Sequence, residues 1–323
     1  MNAALSHLIG QSPAFRRALA VIERSACFEA PVLLRGETGT GKELAARAIH
    51  YLGARRNAPF VPLNCGAVPE ALVESELFGA ERGAFTDAHT RRTGLIATAE
   101  GGTLFLDEVD ALPARAQVSL LRFLQDQTYR PLGASREMTG NVRIVAAASP
   151  RLDALITQGA FRVDLAFRLD VLSIELPPLR ERAGDALLLA EHFAQRFARR
   201  YGMDSRRLGT TSRAWLGQHS WPGNVRELEN RIHRATLLCQ GAELDLLPEQ
   251  PGEADHGPVA IHYRTARDAA MAAWERAYLA ELLRTTQGNV TRAAELAGKE
   301  RRALGKLLKK HGIDRASLGL LTA

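Results

Sequence analysis

The sequence has few cysteines and no long hydrophobic run. Its three cysteines, Cys27, Cys65 and Cys239, lie far apart, are odd in number and form no CxxC pair, which argues against disulfides and against a zinc site. No uninterrupted apolar run approaches the roughly 20 residues that a membrane helix needs, and no basic-then-apolar segment opens the chain. We therefore expect a cytoplasmic protein that makes no contact with a membrane.

Internal repeats and low-complexity tracts are also absent, and 323 residues are enough for two or three compact units. The net charge of +6 is unevenly placed: residues 260–323 hold 12 Lys or Arg against 6 Asp or Glu, whereas residues 1–259 hold 30 of each kind. A positive excess confined to the last fifth of the chain predicts that this part meets an anionic polymer. A solvated helical surface is the alternative.

Short apolar runs alternate with helix-like stretches between residues 31 and 174, as in Val32–Leu34 followed by Lys42–Tyr51. Runs that are buried on both faces and separated by helices predict a parallel sheet in an α/β domain. Helical periodicity then replaces the strand pattern, and a stretch rich in Pro, Gly and acid follows. The predicted division is an α/β domain over residues 1–176, a helical unit over 177–240, a linker over 241–262 and a basic helical unit over 263–323.

The segment VLLRGETGTGKE places a glycine-rich loop between a strand and a helix that starts at Lys42. Glycines let backbone amides turn toward phosphate oxygens, the helix amino terminus adds partial positive charge, and Lys42 reaches the terminal phosphates. Glu43 stands where a Ser or Thr usually follows, so magnesium must depend more on a carboxylate elsewhere and on water. The predicted ATP-binding residues are Gly36, Glu37, Thr38, Gly39, Thr40, Gly41, Lys42 and Glu43.

The segment GGTLFLDEVD predicts a buried strand that delivers Asp107 and Glu108 at its carboxyl end. One acid there can hold Mg²⁺, and a second can polarise the water that attacks the γ-phosphate. An acidic cap on the next helix is the alternative. Because the glycine-rich loop is present as well, we predict an ATPase in which Asp107 binds the metal and Glu108 acts as the base.

Several motifs together resemble the bacterial enhancer-binding proteins, which are AAA+ ATPase activators of sigma-54 RNA polymerase. GETGTGKE is similar to their phosphate loop, GGTLFLDEVDALP to their Walker B segment, and WPGNVRELEN to their lid motif. FRVDLAFRLDVLSIELPPLRER resembles their arginine-finger and hinge region, and GAFTDA resembles their GAFTGA loop. The resemblance covers nearly the whole chain and implies an AAA+ parallel-sheet domain with a helical lid.

The resemblance also implies a ring, usually a hexamer, with ATP at each subunit boundary. Arg162 and Arg168 would then be the fingers that reach the neighbour's ATP, although two surface charges are the simpler interpretation of the residues alone. Arg226 would be the lid arginine, with a surface ion pair as the alternative. Asn64, in FVPLNC, matches the residue that restrains the catalytic glutamate, and a buried turn asparagine is the alternative.

The octet GAFTDAHT, residues 83–90, has a flexible approach and a lone aromatic. By itself it favours a surface loop whose Phe85 folds onto the core. The resemblance implies instead that nucleotide state moves the loop and that its residues contact sigma-54. The contact residues would be Gly83, Ala84, Phe85, Thr86, Asp87 and Ala88.

Three departures from the family pattern could weaken the coupling between hydrolysis and movement of this loop. Asp87 stands where the family loop has Gly. Ala148 and Ser149 stand where Thr-Asn usually follows the VRIVAA strand, which alters the γ-phosphate sensor. Ala80 replaces a common His before the loop.

The stretch TTQGNVTRAAELAGKERRALGKLLKKHGI predicts helix, turn, helix, with Ala303, Leu304, Leu307 and Leu308 on one apolar face of the last helix. The remaining cationic face fits DNA phosphates and base edges, and the stretch resembles the Fis-type helix-turn-helix that ends this family. An amphipathic partner-binding helix is the alternative. The predicted DNA contacts are Arg301, Arg302, Lys306, Lys309 and Lys310, with Arg292 and Lys299 as phosphate contacts beside the turn.

These expectations describe an activator that binds enhancer DNA and uses ATP and Mg²⁺ to remodel the closed complex of sigma-54 RNA polymerase. Because LIGQSPAF resembles the start of the ATPase domain, we expect no amino-terminal sensor domain. Control would then come from a separate regulatory protein, from expression level or from a domain that this sequence does not include. One alternative is an ATP-binding, DNA-binding regulator that does not act on sigma-54, which Asp87 and Ser149 favour. A helicase or clamp-loader relative would explain the phosphate loop but neither GAFTDA nor the terminal helices.

Overall fold

The computed structural model describes residues 5, 7–84, 90–204, 206–239, 241, 243–246, 271, 275–276, 278–279, 282–283, 285–286, 289–299 and 301–311. The chain divides into two compact units, residues 1–248 and 249–323. Each unit is described by itself.

A parallel five-stranded sheet organises the first unit. Its strands are β1 (Val32–Arg35), β2 (Phe60–Asn64), β3 (Thr103–Asp107), β6 (Arg143–Ala148) and β7 (Leu172–Glu175); β4 (Thr128–Tyr129) and β5 (Met138–Thr139) form a separate antiparallel pair. The strand order across the main sheet is β2-β3-β6-β1-β7. Because all five strands of the main sheet run the same way, the residues that follow β1, β2, β3 and β6 meet at one edge.

Helices cover the sheet on both faces, as the alternation of apolar runs and helical stretches predicted. They are α1 (Pro13–Ala26), α2 (Lys42–Leu52), α3 (Glu70–Phe78), α4 (Leu95–Thr98), α5 (Ala114–Asp126), α6 (Leu152–Thr157) and α7 (Val163–Leu169). Side chains of β3 alternate between two cores: Leu104 and Leu106 enter one, and Phe105 enters the other. The buried strand is therefore held from both sides, and its polar end emerges at the sheet edge.

A helical lid follows the sheet, built from α8 (Asp185–Tyr201), α9 (Thr210–Gln218) and α10 (Asn224–Leu238) around a buried Trp221. A short parallel pair, β8 (Arg207–Leu208) with β9 (Glu243–Leu244), adds a strand element that the helical periodicity did not predict. Leu244 and Leu246 lie within the predicted linker, yet both are buried in the lid core.

A buried ion pair fastens the segment before α1 to the lid. Arg182 and Asp185 lie 2.9 Å apart, and their side chains are only 2% and 1% exposed. Asp185 accepts hydrogen bonds from the backbone N–H groups of Gln11 and Ser12 and from the Ser12 hydroxyl. Burial alone would raise the pKa of Asp185, but these bonds and the Arg182 guanidinium together lower it.

The described residues of the second unit form helices that include Val290–Leu296 and Arg301–Lys310. Leu304 and Leu308 are buried against Ala293 and Ala294, and Leu307 is partly buried, so the predicted apolar face is present except for Ala303, which is exposed. Among the residues that the structure describes, no helix combines the length and the apolar character needed to span a bilayer.

Candidate nucleotide site

The glycine-rich loop, residues 36–41 and called the P-loop below, lies between β1 and α2 as the sequence predicted. Its backbone takes the left-handed region at Gly39 (φ 82°) and Gly41 (φ 102°), which an L side chain rarely adopts. Helix α2 begins directly at Lys42, so the amides of its first turn face the loop. The loop therefore has the backbone geometry of an anion-binding site.

Lys42 lies over the P-loop. Its Nζ donates to the carbonyl oxygens of Gly36 at 2.8 Å and Glu37 at 3.0 Å. Burial lowers the pKa of Lys42, whereas the carboxylates of Asp107, Asp110 and Glu108 act in the opposite direction. The ammonium group thus lies within electrostatic reach of the acids that follow β3.

Asp107 ends β3 and pairs in register with Asn64, the last residue of β2. Its Oδ1 accepts a hydrogen bond from the N–H of Glu108 at 3.0 Å. Burial raises the pKa of Asp107, and the nearby Lys42 offsets part of that rise. Glu108 itself has a left-handed backbone (φ 53°), a conformation that costs a glutamate free energy.

Asn64 holds the turn beside Glu108. Its side-chain oxygen accepts from the N–H groups of Gly66 at 2.9 Å and Ala67 at 3.0 Å. A Cβ placed on Gly66 would collide with the Oε2 of Glu108, so the catalytic candidate lies directly over this turn. The structure brings Asn64 and Glu108 together, and Asn64 is an exposed residue at the end of β2 rather than a buried turn residue.

Ser149, at the position of the altered sensor, bonds to an acid that the sequence analysis did not single out. Its hydroxyl donates to Asp110 Oδ2 at 2.7 Å, and its N–H donates to Asp110 Oδ1 at 3.0 Å. Asp110 lies two residues after Glu108, in the segment LDEVD. Its place beside the predicted catalytic acids is the sequence signal by which it could have been found. Glu43, the residue in place of Ser or Thr, pairs with Arg47 one turn along α2 at 2.7 Å.

Arg226 lies in the first turn of α10, on the lid side of the P-loop. Its Cβ would be 3.2 Å from a Cβ placed on Gly39, and the next residue back, Val225, donates its N–H to the Gly39 carbonyl at 3.0 Å. Glu37 faces the lid as well: its carboxylate pairs with Arg180 at 2.7 Å, and this bond is the main reason that the pKa of Glu37 is lowered.

Arg162 and Arg168 lie at the two ends of α7, where each contacts its own subunit. Arg162 pairs with Asp164 at 2.7 Å, and Arg168 donates its Nε to the Leu124 carbonyl at 3.3 Å. No hydrogen bond or ion pair found among the described residues links either arginine to the P-loop. Between them, Phe167 is 77% exposed.

Comparison with known proteins connects this geometry to a family. The model of the sigma-54 interaction domain matches residues 8–175, and that of the AAA+ ATPase lid domain matches residues 180–257. The transcriptional regulatory protein GlrR of Escherichia coli K12 is 43% identical over 308 residues, which are 95% of this chain and 68% of that protein. The chain belongs to the family of sigma-54-dependent transcriptional regulators.

Further relatives of this sigma-54-dependent regulator agree. The regulatory protein AtoC of Escherichia coli K12 is 41% identical over 97% of this chain and 69% of its own length. The crystal structure of NtrX from Brucella abortus in complex with ATP superimposes with a TM-score of 0.74 at 36% identity, over 95% of this chain and 70% of that one. The predicted family and the predicted AAA+ fold with a helical lid are confirmed.

In this sigma-54-dependent regulator the base of the GAFTDA loop is defined, whereas Phe85, Thr86, Asp87 and Ala88 lie outside the described residues. Ala80 and Arg92 close the base by exchanging backbone hydrogen bonds of 3.0 and 2.8 Å. Ala80 is 1% exposed, so the residue that replaces the common His is buried at the base of the loop. Gly83 and Ala84 continue from this base, with the Ala84 N–H donating to the Glu81 carbonyl.

The second unit of the regulator presents its basic residues to solvent. The exposed residues are Arg292, Lys299, Arg301, Arg302, Lys306, Lys309 and Lys310. Asn289 caps the helix Val290–Leu296 by accepting from the N–H groups of Thr291 and Arg292. Lys310 and His311 both contact Glu275, at 3.4 and 2.9 Å, so Lys310 is partly engaged within the unit.

Proposed function

We propose that this chain is an ATP-hydrolysing transcriptional activator that binds enhancer DNA and remodels the closed complex of sigma-54 RNA polymerase. The observation that carries the proposal is the meeting of Lys42, Asp107 and Glu108 at one sheet edge, inside the segment that matches the sigma-54 interaction domain. A cation for phosphates, an acid for a metal and an acid for water are the groups that phosphoryl transfer to water requires.

ATP would be held by the P-loop, where the amides of residues 38–42 and the ammonium of Lys42 bind phosphate oxygens. Mg²⁺ fits the same place, since it takes one or two carboxylates together with phosphate oxygens and waters. The half-buried Asp107 would supply one carboxylate. When bound, the ion would neutralise charge on the phosphate oxygens.

Glu108 would accept a proton from the attacking water. Its carboxylate lies against Gly66, which has no side chain and so leaves room for it above the Asn64 turn. Asn64 would then act on Glu108 through this turn, because a shift of the turn would move the surface on which the carboxylate rests.

Arg162 and Arg168 would act on ATP held by a neighbouring subunit of a ring, which we propose to be a hexamer. Among the described residues neither arginine makes a hydrogen bond or ion pair to the P-loop, and Phe167 between them is exposed; both observations support an intersubunit role. Cationic donors in that position stabilise charge on the transferring phosphoryl group.

The partners would be sigma-54 RNA polymerase, reached through the loop from Gly83 to Ala88, and enhancer DNA, reached through the exposed basic residues of the second unit. Because Lys and Arg release counterions from DNA, binding by residues 263–323 should weaken steeply as salt rises. A separate regulatory protein remains a proposed further partner.

The test combines turnover with capture of sigma-54. Glu108→Gln should bind ATP yet lose on the order of 100-fold or more of its turnover, whereas Lys42→Ala should lose binding and Glu70→Gln, an exposed glutamate at the start of α3, should match the wild type. Sigma-54 should be retained by wild-type protein that carries a transition-state nucleotide analogue, and Phe85→Ala should abolish that retention. Wild-type turnover in Glu108→Gln would remove this residue from the mechanism.

A second candidate is a regulator that binds ATP and DNA without remodelling sigma-54. The observation that favours it is the bond between Ser149 and Asp110, which occupies the hydroxyl at the sensor position. If wild type and Asp87→Gly both bind the analogue and form rings but neither captures sigma-54, this second candidate becomes the better account.

A further inference from the structure

Hydrogen bonds from three lid residues converge on the middle of the P-loop. Arg180 donates to both oxygens of Glu37, at 2.8 and 2.7 Å. The Nδ2 of Asn224 donates to Glu37 Oε2 and to the Thr38 carbonyl, both at 3.1 Å. The N–H of Val225 donates to the Gly39 carbonyl at 3.0 Å. Every acceptor therefore belongs to residues 37–39.

Asn224 is the centre of this set. It is fully buried, and its backbone has φ 53°, a region that asparagine tolerates better than most residues. Its Oδ1 accepts from the N–H of Leu179 at 2.8 Å while its Nδ2 faces only acceptors, so the orientation of the amide is determined. Asn224 thus joins the Leu179–Glu181 turn, α10 and the P-loop in one contact.

The opposite side of the same loop is held by Lys42, whose Nζ donates to the carbonyls of Gly36 and Glu37. A bound phosphate would draw this ammonium toward its own oxygens, so the Glu37 carbonyl would lose one of its two donors and keep the other, the Thr40 hydroxyl at 2.8 Å. The Glu37 side chain is held from the lid, by Arg180 and Asn224. A shift of the Glu37 peptide would therefore act on Arg180 and Asn224, because both donate hydrogen bonds directly to residues 37–39.

We propose that Glu37, Arg180 and Asn224 form a latch through which nucleotide occupancy of the P-loop sets the position of the lid. The inference rests on the proposed binding of ATP, and it makes Glu37 a positioning residue rather than a nucleotide ligand. The Arg180 and Glu37 side chains are 44% and 31% exposed. The pair can therefore open and close without leaving an unpaired charge in the protein interior.

The first test is a double-mutant cycle on ATP binding in the full chain, measured with a fluorescent ATP analogue. Arg180→Ala leaves the Glu37 charge unpaired beside the phosphates and should weaken binding about 5-fold. In the Glu37→Gln background the same change should cost less than about 2-fold, because Arg180 acts through Glu37. Arg180→Lys keeps the charge but loses the bidentate hydrogen bond, so its affinity for ATP should lie between those of wild type and Arg180→Ala.

The second test follows the lid itself through the native cysteines. Cys27 is exposed on the α/β side, Cys239 is partly exposed at the end of α10, and Cys65 is buried, so spin labels on the first two report their separation. In wild type, binding of the ATP analogue should shift the distance between the two labels. Arg180→Ala and Asn224→Asp should broaden the distribution of this distance in the nucleotide-free protein and remove the shift. Arg196→Ala removes an Arg–Glu pair that lies wholly within the lid and should leave both distributions unchanged.

The outcomes separate the latch from the proposed function. A wild type that binds no ATP would reject the nucleotide proposal, while unchanged nucleotide-free distances in Arg180→Ala and Asn224→Asp would reject the latch. Equal losses for Arg180→Ala in both Glu37 backgrounds would also overturn it, since Arg180 would then act on ATP directly. A cycle that is non-additive, together with a broadened distance distribution in Arg180→Ala at an unchanged unfolding midpoint, supports it.

Discussion

Two arginines that lie two residues apart, in the segment LRER, connect the lid to different parts of the chain. Arg182 meets Asp185 in a pair that is 2% and 1% exposed and that also holds the segment before α1. Arg180 meets Glu37 of the P-loop in a pair that is 44% and 31% exposed. The buried pair cannot open without leaving a charge in the interior, whereas the exposed pair can exchange with water. One is a fixed joint, and the other is suited to movement.

The largest effect should come from removing one partner of the fixed joint. Asp185→Ala leaves the Arg182 guanidinium buried without its counterion, and such changes cost on the order of 3–5 kcal/mol of unfolding free energy. Glu37→Ala, the matched change in the exposed pair, should cost less than about 1 kcal/mol. Urea unfolding of both variants measures the contrast. If both variants lost the same unfolding free energy, and less than about 1 kcal/mol, the assignment of a fixed joint would be contradicted.

A conservative change should sharpen the same contrast. Arg182→Lys loses the bond to the Ile9 carbonyl and the stacking of the guanidinium 3.7 Å from the Phe15 ring centre, so we expect a loss of about 2 kcal/mol. Arg180→Lys keeps most of the interaction of an exposed pair and should change stability by less than about 0.5 kcal/mol. Thermal unfolding of both variants checks this, and a larger loss for Arg180→Lys would reverse the comparison.

Much of the α/β unit and the core of its site could be predicted from the sequence because their signals are local. Strand, loop and helix follow one another within VLLRGETGTGKE, and the observed α2 begins at the predicted Lys42. The pattern that ends in Asp107 and Glu108 needed only a buried run followed by acids, and the observed β3 ends at Asp107.

The contacts that join the lid to the rest could not be predicted in the same way. Glu37 pairs with a residue 143 positions away, and Asp185 binds residues more than 170 positions away. Nothing in the local pattern of GETGTGKE or PPLRER indicates which acid meets which arginine. The short β8–β9 pair was missed for a related reason, since two residues per strand are too few to show a period of two.

Acid should distinguish the two pairs by a smaller amount. The folded state lowers the pKa of Asp185, so its contribution to stability is present above the unfolded pKa of about 4 and is lost as the pH falls through the lower folded value. Unfolding free energy measured from about pH 5 downward should therefore fall in wild type below about pH 4 and fall less steeply in Asp185→Asn. Glu37→Gln should follow the wild-type slope more closely, because its partner is solvent-exposed. Identical slopes for wild type and Asp185→Asn would show that the carboxylate is not stabilised by folding.

The smallest expected effect is that of salt, and it separates the pairs by their access to ions. Exposed charges are screened as the Debye length shortens, whereas a pair buried under Phe15 and Ile9 excludes counterions. The coupling energy between Glu37 and Arg180, obtained from single and double variants by unfolding, should be about 0.5 kcal/mol at low salt and should approach zero near 1 M. The coupling between Arg182 and Asp185 should not change over the same range, provided that a non-binding salt such as sodium chloride is used for both cycles. If salt weakened the two couplings equally, burial would not be what distinguishes the joint from the latch; if it weakened neither, the Glu37 pair would be as fixed as its neighbour, and the lid would have to move by some route other than Arg180.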